Sequence, residues 1–430
     1  MMLKLPSAWL FGVSFLASLA SAERWILSVE PGVTIEATID FIEQAFDTEI
    51  PILSNATTLD GVSTTIVIEL STEVARLITD GIPGLPDFIN GIPGFQFLEE
   101  DSQQTIPETT FTSQILDGDN EDFVPYGIPM VQADQVDDSN TGAVTVCILD
   151  TGIDTDHPDL PAANIRAFDF TPSGTVQDRN GHGTHVAGTI AGVANGIGVV
   201  GVASSGLINI ISMKVLWEDP DCSGCGYASW QIEAINKCAE EGANIVSMSL
   251  GGSFSQARQN AIDYHTENSN MLFVAAAGNN GNSQNFYPAS HESVISVAAV
   301  DSNKNKASFS QFNNQVELAA PGVGVWSTWL LGDYNQISGT SMACPHVSGV
   351  AALLWSHHPD KTNAEIRAAM QQTAEDLGVT GRGRLNRLSE MVSMCFYAKP
   401  LANHSFFIIF RRGLWFWSCP SFGCQGIPRW

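Results

Sequence analysis

The run Ala143-Val144-Thr145-Val146-Cys147-Ile148-Leu149-Asp150-Thr151-Gly152 decides the fold. It is an apolar, β-branched stretch of strand length that stops at an aspartate, a small polar residue and a glycine. Comparable apolar runs follow at Ile208–Val215, Asn244–Met248, Met271–Ala276 and Val294–Val300. Helix-like segments stand among them at His182–Ala194, Ser229–Glu241, Ser255–Asn268 and Ser341–His357. Strands that are apolar throughout and alternate with helices belong to a parallel sheet buried on both faces. The expected class is α/β, a three-layer parallel sheet with helices on both faces. Active sites of such sheets lie at the carboxyl ends of strands, so Asp150 is placed for chemistry. A turn or capping aspartate is the plainer use of the same residue.

The chain has 430 residues, more than one typical domain. Hydrophobic residues make up 44% and charged ones 15%, so a sizeable core is expected rather than disorder. The net charge of −27 argues against nucleic-acid binding and against anionic membrane surfaces. Charge also divides the chain. Residues 23–121 carry 19 acids and two bases, whereas residues 393–430 carry four bases and no acid. Residues 23–105 alternate strand-like runs (Trp25–Val29, Thr64–Leu70) with helix-like ones (Thr34–Phe46, Thr72–Thr79), the pattern of a small α+β unit. Residues 106–121 lie in an exposed linker that starts at about 101. Residues 122–392 form the main domain. Residues 393–430 hold ten aromatics and three cysteines with no periodicity, and no function is assigned to them.

Residues 1–22 read as a secretory signal: Lys4, an apolar stretch from Trp9 to Leu19, and the small-residue site Ala20-Ser21-Ala22. The apolar stretch is about half the ~20 residues that span a bilayer. A secreted, extracellular protein with no membrane partner is expected. Eight cysteines on an oxidising route allow disulfides. Cys222, Cys225 and Cys238 cluster, and a local disulfide between two of them is expected. The second Cys pair of a structural zinc site is missing. Cys147 and Cys344, in apolar or small-residue surroundings, are expected as buried thiols. Asn55-Ala56-Thr57 is a glycosylation sequon.

Two further motifs carry chemistry. Asn180-Gly181-His182-Gly183-Thr184-His185 opens a helix, and no third ligand stands at a metal-binding interval; a histidine beside an aspartate suits general-base work. Gly339-Thr340-Ser341-Met342-Ala343-Cys344-Pro345-His346 leads small residues into an apolar helix. Ser341 there is either a helix cap or a nucleophile. A serine attacks at neutral pH only if a base takes its proton and a third group orients that base. Asp150, His182 and Ser341 supply those three groups. A GxSxG elbow and an HExxH helix are both absent from the sequence.

These motifs, in the order Asp, His, Ser, resemble those of the subtilisin-like serine proteases. The blocks Pro125–Pro129, Ser249-Leu250-Gly251-Gly252, Ala275–Asn279, Ala320-Pro321-Gly322 and Gly381–Asn386 are similar to further family segments. The resemblance implies a subtilisin-like fold preceded by a small α+β propeptide domain that is chaperone and transient inhibitor. It implies a monomeric serine endopeptidase acting on protein or peptide substrates, with Asp150, His182 and Ser341 catalytic and Asn279 in the oxyanion hole. His185 is then structural. Substrate would add a strand along Ser249, Leu250 and Gly251. The glycine and alanine walls, Ala276 and Gly278 included, imply a slot for a large apolar side chain. Tyr227 would wall a second apolar pocket. Structural Ca²⁺ is implied by Asp159, Asp122, the Asn195 side chain and the carbonyls of Val193, Ile197 and Val199; no catalytic cofactor is implied. A catalytically silent peptide-binding relative, and an acidic first unit released as a protease inhibitor, are the competing readings.

Overall fold

A computed structural model describes residues 22–375 and residue 377, apart from 47–48, 55–56, 60–62, 80–91, 93, 113–120 and 220–221. The secretory signal up to Ser21, the Asn55 sequon and the 393–430 tail lie outside the described residues.

The first unit is built from β1 (Ala22–Val29), α1 (Ile35–Phe46), β2 (Thr57–Leu59), β3 (Ser63–Ser71), α2 (Thr72–Thr79) and β4 (Phe95–Glu100). Its four strands form an antiparallel sheet in the order β2-β3-β1-β4. In α1, Ile35, Ile39, Ile42 and Phe46 recur at helical spacing and are all buried. They pack with Leu27, Val29, Ile66 and Ile68 of the sheet in a core of their own. Period-2 alternation turns Ile26 and Val67 to the opposite face, where they join the core of the second unit.

Two short strands follow, β5 (Gln103–Thr105) and β6 (Thr110–Thr112). The second unit then runs β7 (Thr145–Asp150), β8 (Ile165–Asp169), α3 (His182–Ala191), β9 (Asn209–Lys214), β10 (Trp217–Asp219), β11 (Cys222–Tyr227), α4 (Ala228–Glu240), β12 (Ile245–Met248), β13 (Gly251–Gly252), α5 (Gln256–Asn268) and β14 (Leu272–Ala276). It continues with β15 (Val294–Val300), β16 (Val316–Pro321), β17 (Val325–Thr328), β18 (Tyr334–Ser338), α6 (Thr340–His357) and α7 (Asn363–Thr373). Seven strands form one parallel sheet, β16-β15-β14-β12-β7-β9-β8. Alternate residues of each strand face opposite layers. Val146 and Ile148 meet α3 and α6 through Val186, Ile190, Val347 and Val350. Cys147 and Leu149 meet α4 and α5 through Ala234, Ile235 and Ile262. The three-layer expectation holds.

Two expectations change. Cys147 is not a thiol: it forms a disulfide with Cys238, Cα–Cα 6.0 Å. The strand's alternation turns Cys147 toward α4, where Cys238 stands near the last turn, a long-range meeting that sequence spacing does not encode. Cys222 pairs with Cys225, and Cys344 is a free buried thiol. The start of the supposed exposed linker is also not free. β5 is a strand between β11 and β13, and β6 pairs with β18. Edge strands left open by the second unit take up its backbone groups.

Candidate active site

Asp150 ends β7 and His182 starts α3, so the sheet and the helix converge at one point. His182 Nδ1 lies 2.7 Å from Asp150 Oδ1, with both side chains buried. Asp150 Oδ1 also accepts from the Thr151 amide at 2.8 Å. The turn leading into α3 is held by Asp178. Its Oδ1 accepts from the amides of Asn180 and Gly181 and from the Thr151 hydroxyl, and its Oδ2 from the Thr184 amide and hydroxyl. Gly183 lets α3 pass the Gly152 carbonyl, which a side chain there would meet. Neither Asp178 nor the part played by Thr151 was singled out from sequence; an aspartate four residues before a helix-opening histidine is the only trace of the former.

Ser341 lies in the first turn of α6 and is fully buried. Its hydroxyl donates to the Ser249 carbonyl at 3.3 Å, while the Ser249 hydroxyl donates to the Ser341 carbonyl at 2.7 Å. His182 Nε2 is buried without a hydrogen-bond partner. His185 sits one turn further along α3, bonded through Nε2 to the Val325 carbonyl at 3.0 Å. Burial pushes its pKa down to about 3, so it stays neutral, as a structural residue does.

Asn279 follows β14. Its side-chain carbonyl accepts from the Thr340 amide at 2.9 Å and the Thr340 hydroxyl at 2.7 Å. That fixes which end of the amide faces the cleft, and Nδ2 donates to the Glu108 carbonyl at 2.6 Å. An arrangement of this kind stabilises negative charge growing on a carbonyl oxygen. Thr340 is a positioning residue that sequence inspection passed over as one more small residue.

The cleft is filled by the chain itself. Gln103, Gln104 and Thr105 of β5 pair with Tyr227, Gly226 and Cys225 on one side. Thr105 and Gln104 pair with Gly251 and Gly252 on the other. The Ile106 amide donates to the Gly224 carbonyl, Glu108 reaches Asn279, and β6 leaves along β18. Two carboxylates just ahead of β5 cap helices of the second unit. Glu99 accepts from the Ser255 hydroxyl and the amides of Gln256 and Ala257 at the start of α5. Asp101 accepts from the Ser229 amide and hydroxyl at the start of α4 and pairs with Arg24 at 2.8 Å. Unsatisfied amides and the positive end of a helix favour such anions.

Ser249 bonds with Ser341 and Gly251 pairs with β5 at this cleft, with Phe286 packed against both Gly251 and Gly278 and Gln311 against Gly278, whereas Leu250 and Ala276 are fully buried in the two cores. Tyr227 meets Trp230 edge-on at 5.0 Å and lies under the Arg24 guanidinium at 4.3 Å. The side chain held on the inner side of the β5–β11 pairing is not apolar: Gln104 meets Arg258 there.

The segment 193–199 folds over Asp159 and Asp122. Asp159 Oδ2 accepts from the Val199 amide and Asp122 Oδ1 from the Gly196 amide, each at 2.8 Å. Asn195 Oδ1 accepts from the Ile197 amide, and the Val193 amide donates to the Asp159 carbonyl. Asp159 Oδ1 is buried with no partner. Burial, with the charge of Asp122 nearby, pushes its pKa up to about 7. A buried carboxylate so penalised, with one oxygen left unpartnered, fits a hard cation. No group of three or more His, Cys, Asp or Glu suited to a metal occurs among the described residues, so main-chain and amide oxygens would have to complete the shell.

Comparison with known proteins agrees with this geometry. Residues 141–388 match the model of the subtilase family. Subtilisin DY of Bacillus licheniformis is 44% identical over 273 residues, 61% of this chain and 97% of that protein. An alkaline protease of Shouchella clausii is 36% identical over 397 residues, 88% of this chain and 96% of that protein. Among solved structures, the psychrophilic subtilisin-like protease Apa1 from the Antarctic psychrotroph Pseudoalteromonas sp. AS-11 is similar, with a TM-score of 0.55 and 30% identity, covering 61% of this chain and 94% of that one.

Proposed function

The chain belongs to the subtilase family, and from that premise we propose that this serine endopeptidase is exported as an inactive precursor, sheds its first unit, and cleaves extracellular proteins after large apolar residues. In the proposed mechanism Ser341 swings from the Ser249 carbonyl toward His182 Nε2, whose lone pair takes the hydroxyl proton as Oγ attacks the peptide carbonyl. Asp150 holds the imidazole in the tautomer that leaves Nε2 free and stabilises the imidazolium. Asn279 Nδ2 and the Ser341 amide receive the developing oxyanion. The imidazolium then protonates the leaving amine, and water repeats the sequence on the acyl-enzyme.

The observation that carries the precursor reading is β5, held between β11 and β13 where a substrate strand would add. A segment so placed blocks substrate until it is cut, within about 101–121, and released. The alignment with the alkaline protease, which covers 88% of this chain, supports a shared first unit. The secretory signal supports export. Ser249, Leu250, Gly251, Ala276 and Gly278 form the primary slot, and the Phe286 ring makes its lining more apolar. Structural Ca²⁺ is held by Asp159, Asp122, Asn195 and the carbonyls of Val193, Ile197 and Val199; it ties the 193–199 segment to the body and takes no part in bond cleavage. The enzyme acts as a monomer.

The test is fluorophosphonate labelling of the secreted protein alongside hydrolysis of peptides cleaved after Phe, with Ser341→Ala as control. Labelling and hydrolysis that both vanish in the variant support the reading. Matured, folded protein showing neither would leave a silent peptide binder in its place.

A further inference from the structure

The Gln104 side chain is fully buried, and what buries it is charged. Arg258 Nη1 donates to Gln104 Oε1 at 2.6 Å and to Gln231 Oε1 at 2.8 Å, and Nη2 donates to the Ser253 carbonyl at 2.9 Å. Arg258 and Gln231 are both 0% exposed, and Arg258 Nε and Gln231 Nε2 have no partner. Gly252 leaves room for the Gln104 carboxamide, which would otherwise strike a side chain there.

Among the described residues the guanidinium forms no ion pair. The carboxylate whose field reaches it is Glu99, which belongs to the first unit. His291 is kept neutral by burial and, to a lesser degree, by the charge of this same cation. Release of the first unit together with β5, by a cut beyond Thr105, therefore removes both the Gln104 oxygen and the Glu99 charge. The second unit is left with a guanidinium held only by the neutral oxygens of Gln231 and Ser253, an arrangement that an incoming anion compensates.

Taking the proposed reading that β5 lies where substrate lies, we infer that Arg258 is a specificity determinant of the mature enzyme: at the position filled here by Gln104 it selects a side chain ending in a carboxylate or carboxamide oxygen, glutamate first and glutamine next. Glutamate matches glutamine in length, restores the missing charge, and accepts a charge-assisted hydrogen bond from Nη1. Leucine at that position strands the guanidinium donor.

The experiment is a peptide-library cleavage profile of the mature wild-type enzyme, scanning five positions ahead of the cut, repeated with Arg258→Met. The expected result is at least about tenfold enrichment of Glu over Leu at one position, three or four residues ahead of the residue that supplies the attacked carbonyl. Gln should fall between them, and the enrichment should vanish in Arg258→Met while cleavage continues. The wild-type profile decides even if the variant does not fold. Cleavage with no such enrichment, or with apolar enrichment at that position, overturns this inference alone. No cleavage and no fluorophosphonate labelling overturn the peptidase reading and this inference with it.

Discussion

Thr340 aims Asn279: its hydroxyl and amide both donate to the side-chain carbonyl, at 2.7 and 2.9 Å, leaving Nδ2 directed at the carbonyl in the cleft. The donor is set before substrate arrives, so no reorganisation is needed as charge develops. Asn279→Ala is expected to lower kcat about 10²–10³-fold with little change in KM, the loss known for such a donor in a subtilisin. Thr340→Val should cost less, on the order of tenfold, because the Asn279 carboxamide remains and keeps its bond from the residue-340 amide while losing the one from the hydroxyl. Steady-state kinetics on one peptide check both. An equal rise in KM would mean that Asn279 merely binds substrate.

The capping carboxylates predict how firmly the first unit stays bound. Glu99→Gln with Asp101→Asn removes two anions from the starts of α5 and α4. Hydrogen bonds to charged groups contribute about 1.5–3 kcal/mol each. Retention of the cleaved first unit should weaken by at least about tenfold, shortening the lag before activity appears in the matured sample. An unchanged lag would show that the strand pairing of β5 alone sets the affinity.

The Cys147–Cys238 disulfide joins β7 to α4 across 91 residues of sequence. Loss of a long-range disulfide typically costs about 2–5 kcal/mol. Cys147→Ala with Cys238→Ala should lower Tm by several degrees while kcat at low temperature is kept, because neither sulfur touches the Asp150–His182 pair. Calorimetry and a low-temperature assay separate the two effects. A fall in kcat at full folding would assign the disulfide a part in aligning Asp150.

Removal of calcium is expected to lower Tm, since a ligand bound only by the folded state stabilises it in proportion to ln(1 + [L]/Kd). The downward shift on adding a chelator should be reversed by Ca²⁺ and be much smaller in Asp159→Ala. A Tm indifferent to chelator would remove the cation from the 193–199 segment.

Sequence and structure agree most closely where local chemistry dictates position. Apolar strands and amphipathic α1 were legible because spacing and residue type settle them, whereas the motifs around Asp150, His182 and Ser341 were read through the resemblance. Asn279 was named by the same resemblance, and the structure adds its bonds to Thr340. What escaped depends on contacts between distant segments. Asp178 and Thr340 matter through the groups they orient. Cys147 was read from its apolar neighbours, which say nothing about which face of α4 carries Cys238. Arg258 was the largest gap: in the helical pattern of 255–268 it passes for a solvated base, and only its bonds to Gln104, Gln231 and Ser253 in the folded chain show otherwise.

On the proposed reading, the path of residues 103–112 also says what shape of substrate the enzyme takes. The chain enters between β11 and β13, crosses in front of Asn279 and departs along β18, continuous on both sides of the nucleophile. The groove is thus a thoroughfare open at both ends. A polypeptide can lie through it without presenting either terminus, so a flexible loop long enough to be drawn out straight can be cut in its middle.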